Sequence, residues 1–142
     1  MIATDGSDGA GAATGAGIEI ARLSGAKVYA VYAIDTGAYL SIPKDINWEE
    51  TMYGQFEKYG KEAVASVEKA AKAAGLEVEA VLLKGHPAEE LIDFAKKERI
   101  DLIVLGSHGK SGIERFLLGS VSEKVIRNSK VSVLLVRGRE ET

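Results

Sequence analysis

Strand-like and helix-like segments alternate from one end of the chain to the other, and that alternation admits few folds. Ile2-Ala3-Thr4 is a very short strand candidate, and the Ala-rich stretch from about Ala10 to Ser24 reads as a helix. Gly9, Gly11, Gly15 and Gly17 weaken that helix by up to ~1 kcal/mol each where they fall in its interior. Lys27 to Ile34 is β-branched and aromatic, hence a strand. Asp35 to Asn47 holds Gly37 and Pro43 without a clear period and reads as a loop. From Trp48 to Ala74 the apolar residues Phe56, Ala63, Val67, Ala70 and Ala74 recur at helical spacing. Leu76 to Leu83 begins with a period-two alternation, which predicts a strand. Ala88, Leu91, Ile92 and Ala95 mark a short amphipathic helix.

Leu102 to Leu105 is continuously apolar, as a central parallel strand buried on both faces must be. Ser120 to Asn128 reads as a helix opened by a capping box, Ser120 with Glu123. Val131 to Val136 is the last strand. Repeated crossovers of this kind imply a parallel, doubly wound, Rossmann-like α/β sheet with helices on both faces. At 142 residues, of which 46% are hydrophobic and 27% charged, one domain spanning 1–142 with one core is expected.

Such sheets bind ligands beyond the strand carboxyl ends, where the chain order reverses. In the usual topology that point lies between the first strand and the fourth. The sequences that meet there are Thr4-Asp5-Gly6-Ser7-Asp8 and Gly106-Ser107-His108-Gly109, and both suit a polar ligand. The 16 glycines exceed the ~7% of average usage, and several fall here. A glycine after a buried strand lets backbone amides approach a ligand with no Cβ in the way. Gly119-Ser120 stands at a helix start, where unpaired N–H groups and the dipole attract phosphate. Each feature alone is equally well a tight turn or a plain N-cap; together at the switch point they point to a phosphate cradle.

Other motifs are weaker. Gly109-Lys110-Ser111 resembles the end of a P-loop, but the required first glycine falls on Val104, inside a strand. Gly9-Ala10-Gly11-Ala12-Ala13-Thr14 is one residue short of a dinucleotide fingerprint, and Asp35 lies where a ribose-binding acid would sit, so an NAD-binding oxidoreductase is the second reading. Asp5 suits ribose hydroxyls or Mg²⁺, or else an Asx-turn. His108 could touch phosphate, whereas His86 reads as a surface residue. No nucleophile–base pair is evident, so no catalytic residue is assigned. The chain has no cysteine, which excludes disulfides and thiolate metal sites and fits a reducing cytoplasm. A net charge of −3 argues against nucleic acid as a partner, and no apolar run approaches a membrane span.

Nearly the whole chain resembles the universal stress protein family, in its ATP-binding subgroup. The likeness is carried by Gly106, Gly109 and Gly119-Ser120 at the family's spacing, by Ala3 to Ser7, by Gly85 to Glu90, by Asp101 to Gly109 and by Leu117 to Val125. The resemblance implies a five-stranded sheet of order 3-2-1-4-5, ATP with Mg²⁺ at the switch point, and a homodimer through the last strand, Val131 to Val136. By position, Asp5 beside Thr4 would face the ribose, with Asp5 also the possible Mg²⁺ ligand. The Ala33 backbone would read the adenine edge, and Leu105 and Gly106 would line the ribose side. Gly109, Gly119, Ser120 and Val121 would hold the phosphates. The implied role is nucleotide-dependent regulation in stress survival with slow or no hydrolysis. A nucleotide-free dimeric interaction module is the remaining alternative, and the intact Gly106 to Ser120 spacing argues against it. Family members usually carry several residues before the Ala-Thr-Asp-Gly-Ser segment. Here only Met1 and Ile2 precede it, so either the start is truncated or the central strand is short.

Overall fold

The computed structural model describes residues 1–37, 48–107 and 119–138. In chain order the elements are β1 (Ile2–Ala3), α1 (Asp8–Ser24), β2 (Val28–Asp35), α2 (Trp48–Ala73), β3 (Val78–Gly85), α3 (Pro87–Lys97), β4 (Leu102–Gly106), α4 (Ser120–Asn128) and β5 (Ser132–Val136). The five strands form one parallel sheet in the order β3-β2-β1-β4-β5. The chain therefore reverses its direction of travel across the sheet between β1 and β4. That is where the doubly wound pattern places a ligand.

Period-two alternation along the strands divides the core into two layers. Ala30, Tyr32 and Ile34 of β2, with Ile2 and Val104, pack against Ala13 and Ala21 of α1 and Ala63, Val64 and Val67 of α2. Val31, Ala3, Ile103 and Leu105 face the other way, onto Ala88, Leu91 and Ala95 of α3 and Val125 of α4. β4 is buried on both faces through Ile103, Val104 and Leu105, as its unbroken apolar run requires.

β1 is as short as the sequence suggests, and its neighbours bond beyond its formal ends. The Met1 carbonyl accepts from the Val104 N–H at 2.8 Å, and the Thr4 N–H donates to the Val31 carbonyl at 2.9 Å. The Met1 ammonium donates to the Leu102 carbonyl at 2.9 Å. Its burial pushes its pKa down to about 6, with the Asp101 carboxylate pulling the other way. Gly17 explains why a glycine-rich helix lies here. A Cβ at that position would stand 2.7 Å from Cγ1 and 2.8 Å from Cδ1 of Ile2. The missing side chain lets α1 settle onto β1.

The starts of β3 and β5 differ from the sequence reading for local reasons. β3 begins at Val78 rather than Leu76, because Gly75 turns left-handed (φ 75°) and the Leu76 N–H returns to the Ala71 carbonyl at 3.0 Å. β5 begins at Ser132 rather than Val131, because the Ser129 hydroxyl occupies both backbone groups of Val131, at 2.9 and 3.0 Å. Most of the expected loop from Asp35 to Asn47 lies outside the described residues.

Candidate functional site

The turn after β1 is fixed by its own side chains. The Thr4 hydroxyl accepts from the Gly6 N–H at 3.1 Å, and Asp5 Oδ1 accepts from the Ser7 N–H at 2.9 Å. Gly6 adopts φ 77°, which glycine alone takes at little cost. Ser7 then caps α1 by accepting from the Ala10 N–H. Asp5 is thus an Asx-turn residue, and among the described residues that turn engages one of its two carboxylate oxygens.

The end of β4 is fixed by packing. A Cβ on Gly106 would stand 3.1 Å from the Gly9 carbonyl oxygen, so the glycine is needed for the close approach of α1. Beyond it the chain is fastened to its neighbours. The Ser107 N–H donates to the Val136 carbonyl at 3.0 Å, and the Gly119 N–H donates to the Ser107 carbonyl at 2.8 Å. The buried Ser122 hydroxyl donates to the Gly106 carbonyl at 2.7 Å. These bonds hold the start of α4 against the end of β4. Gly109, His108 and Lys110, named from the sequence, lie outside the described residues.

The capping box expected at α4 does not form. Gly119 is the N-cap, no side chain caps the helix, and Ser120 is its first helical residue. Glu123 instead pairs with Arg127 one turn on, at 2.9 Å. The first helical hydrogen bond runs from the Glu123 N–H to the Gly119 carbonyl. The amides of Ser120, Val121 and Ser122 precede it, at the positive end of the helix dipole.

These features surround one cavity of about 400 Å³. Thr4, Asp5, Ala33, Leu105, Gly106, Gly119, Ser120 and Val121 all line it. It is also lined by Val31, Tyr32, Asp35, Phe56, Pro87 and Leu91. Asp35 was marked in the sequence for a different cofactor, and the others were not marked as binding residues. Phe56 reaches the cavity from α2, a placement set by how α2 crosses the sheet. Helical spacing gives no sign of that crossing. Pro87 opens α3 at its first turn, and an X-Pro helix start just after a strand was the signal available for it.

The cavity walls are mainly apolar, and its charge is one-sided. Among the described lining residues only Asp5 and Asp35 are ionisable carboxylates, and none is cationic. Asp35 Oδ1 accepts from the Gly37 N–H at 2.9 Å. The Tyr32 phenol is pushed up by burial, with Tyr59, Asp5 and Asp35 adding to the effect, so it stays a neutral hydroxyl at physiological pH. Among the described residues no three His, Cys, Asp or Glu side chains converge as a metal site. His86 is exposed and makes no side-chain cap hydrogen bond. Among the described residues no helix is long and apolar enough to cross a membrane.

Comparison with known proteins agrees with this fold. The model of the universal stress protein family matches residues 1–137. A universal stress protein of Methanocaldococcus jannaschii is 41% identical over 137 residues, covering 96% of this chain and 80% of that protein. The solved structure of a second protein of that organism, MJ0577, superposes with a TM-score of 0.86 at 28% identity, covering 99% of this chain and 95% of that one. A universal stress protein solved in complex with cAMP superposes with a TM-score of 0.70 at 32% identity, covering 95% of this chain and 93% of that one.

Proposed function

The chain belongs to the universal stress protein family, and we propose that it is an ATP-binding regulatory protein, a nucleotide-dependent switch in the stress response. One observation carries this reading: at the point where the strand order reverses, an apolar cavity runs from the end of β2 to the open amides of α4. Its volume of about 400 Å³ falls in the usual range for small-molecule sites. A purine needs flat apolar walls, and Ala33, Leu91, Pro87 and Phe56 provide them. The Ala33 backbone reads the adenine edge, and Asp5, with Thr4, Leu105 and Gly106 beside it, takes the ribose.

Phosphates lie at the other end, on the amides of Ser120 and Val121 and on the Ser120 hydroxyl, beside Gly119, whose own N–H is taken by the Ser107 carbonyl. A relative that holds cAMP supports an adenine nucleotide as the ligand class. Mg²⁺ fits as a phosphate-bound ion, because magnesium is usually held by one or two carboxylates plus substrate phosphates. Backbone amides and a hydroxyl bind phosphate without supplying a base for water, so hydrolysis is slow or absent. We place the protein in the cytoplasm, as a homodimer through Val131 to Val136.

Calorimetric titration of the purified chain with ATP and Mg²⁺, and separately with NAD, tests the reading. ATP should bind more tightly. NAD binding more tightly than ATP would favour the oxidoreductase reading, for which Asp35 in the cavity is the supporting feature.

A further inference from the structure

The one-sided charge of the cavity determines which nucleotides it admits. Asp5 and Asp35 leave neighbouring parallel strands on the same side of the sheet. Ala3 pairs with Val31, and the Thr4 N–H bonds to the Val31 carbonyl, so Asp5 leaves β1 level with Ala33. Asp35 follows two residues further along the same wall. Each carboxylate is oriented by a hydrogen bond that its Oδ1 accepts from the backbone N–H two residues on, at 2.9 Å in both cases. Both carboxylates also act on the Tyr32 phenol that lines the cavity beside them. The opposite end has the reverse polarity, with the open amides of α4 and its positive dipole end.

We propose that Asp35 is a specificity residue that, with Asp5, reserves the β1–β2 wall for an unphosphorylated ribose edge, so that the site takes 5′-phosphorylated nucleotides and excludes those that also carry a 2′-phosphate. The inference rests on the nucleotide-binding reading above and deepens it. A carboxylate accepts hydrogen bonds from ribose hydroxyls. A phosphomonoester in the same place brings like charge and no donor at neutral pH, and no described cationic side chain of the cavity offsets the repulsion. The 5′-phosphate escapes this penalty because it points to α4.

The test is binding of 5′-AMP against adenosine 2′,5′-bisphosphate to the whole chain, measured by calorimetry. The parent should prefer 5′-AMP by on the order of tenfold or more, since like-charge juxtaposition is among the costlier mismatches. Asp35→Asn keeps an oxygen acceptor for the Gly37 N–H and removes the charge. It should melt like the parent and narrow the preference by about threefold or more, mainly through tighter bisphosphate binding. Asp35→Glu, which retains the charge, should retain the preference. An unchanged ratio in a folded Asp35→Asn that still binds 5′-AMP overturns the role of Asp35. A parent that binds both ligands equally overturns the selectivity itself. A parent that binds ATP but neither of these ligands overturns this inference alone, and one that binds none of the three overturns the nucleotide-binding reading with it.

Discussion

Gly17 and Gly15 sit two residues apart on α1 and do opposite things. A Cβ at Gly17 would press on Ile2, whereas one at Gly15 would meet nothing within 4 Å. Helix propensity favours alanine at both by up to ~1 kcal/mol. Gly15→Ala should therefore stabilise the protein by up to about that amount. Gly17→Ala should destabilise it by about 1–3 kcal/mol, because Ile2 is 2% exposed and overpacking at such a site outweighs propensity. Urea denaturation of the two variants checks this, and equal effects would show that α1 does not rest on β1 through Gly17. Sequence alone marks all these glycines as costs to a helix. Which of them is a contact surface depends on the strand lying beneath, which no local pattern records. The same limit applies to Gly106, whose missing side chain serves the approach of Gly9.

Among the elements, the hydrophobic periods of 2 and 3.6 carry the order and type of nearly every strand and helix. Boundaries depend on side-chain chemistry that competes with those periods. Ser129 captures Val131, the Gly75 turn captures Leu76, and Gly119 displaces Ser120 from the cap. β1 is the element under most constraint, with two residues in strand geometry and a buried ammonium before it. In the polypeptide that begins at Met1, burial brings the folded amine down to a pKa of about 6 from its ordinary value of 8.0. Burial thus favours the neutral amine. Between those values the unfolded chain binds a proton that the folded chain rejects. Stability should fall as pH drops from 8 to 6 and change little from this source below 6, by up to about 2 kcal/mol in all. Urea midpoints at pH 6 and pH 8 check it. A higher midpoint at pH 6 than at pH 8 would contradict the buried, neutral amine.

At the scale of the whole molecule, the fold places two unlike ends of one cavity together, and much of that is legible beforehand. Thr4, Asp5, Gly106 and Gly119-Ser120 declare themselves through turn chemistry and helix-start chemistry at the strand ends. Phe56 and Leu91 do not, because an apolar residue on a helix looks the same whether it faces a core or a ligand. The outer edge of the sheet raises a second whole-molecule question. β5 pairs on one side with β4, and Val133, Leu134, Leu135 and Val136 are half-buried in the single chain. An apolar edge of this kind invites pairing. Light scattering at micromolar concentration should give the mass of a dimer; a monomer throughout would refute the interface.

In the proposed site the backbone at the start of α4 holds the phosphate. Gly119 has φ −60° and ψ 151°, a conformation open to any residue, so Gly119→Val should fold. Its branched side chain would stand beside the amides that receive the anion. Ser120 is not the cap, so Ser120→Ala should leave the melting temperature almost unchanged and weaken ATP by about 0.5–1.5 kcal/mol, the worth of one hydrogen bond. The most direct measurement is ATP affinity of Gly119→Val beside its melting temperature. Near-complete loss of ATP binding in a variant that melts like the parent is the predicted result, and parental affinity in that variant would place the phosphates elsewhere.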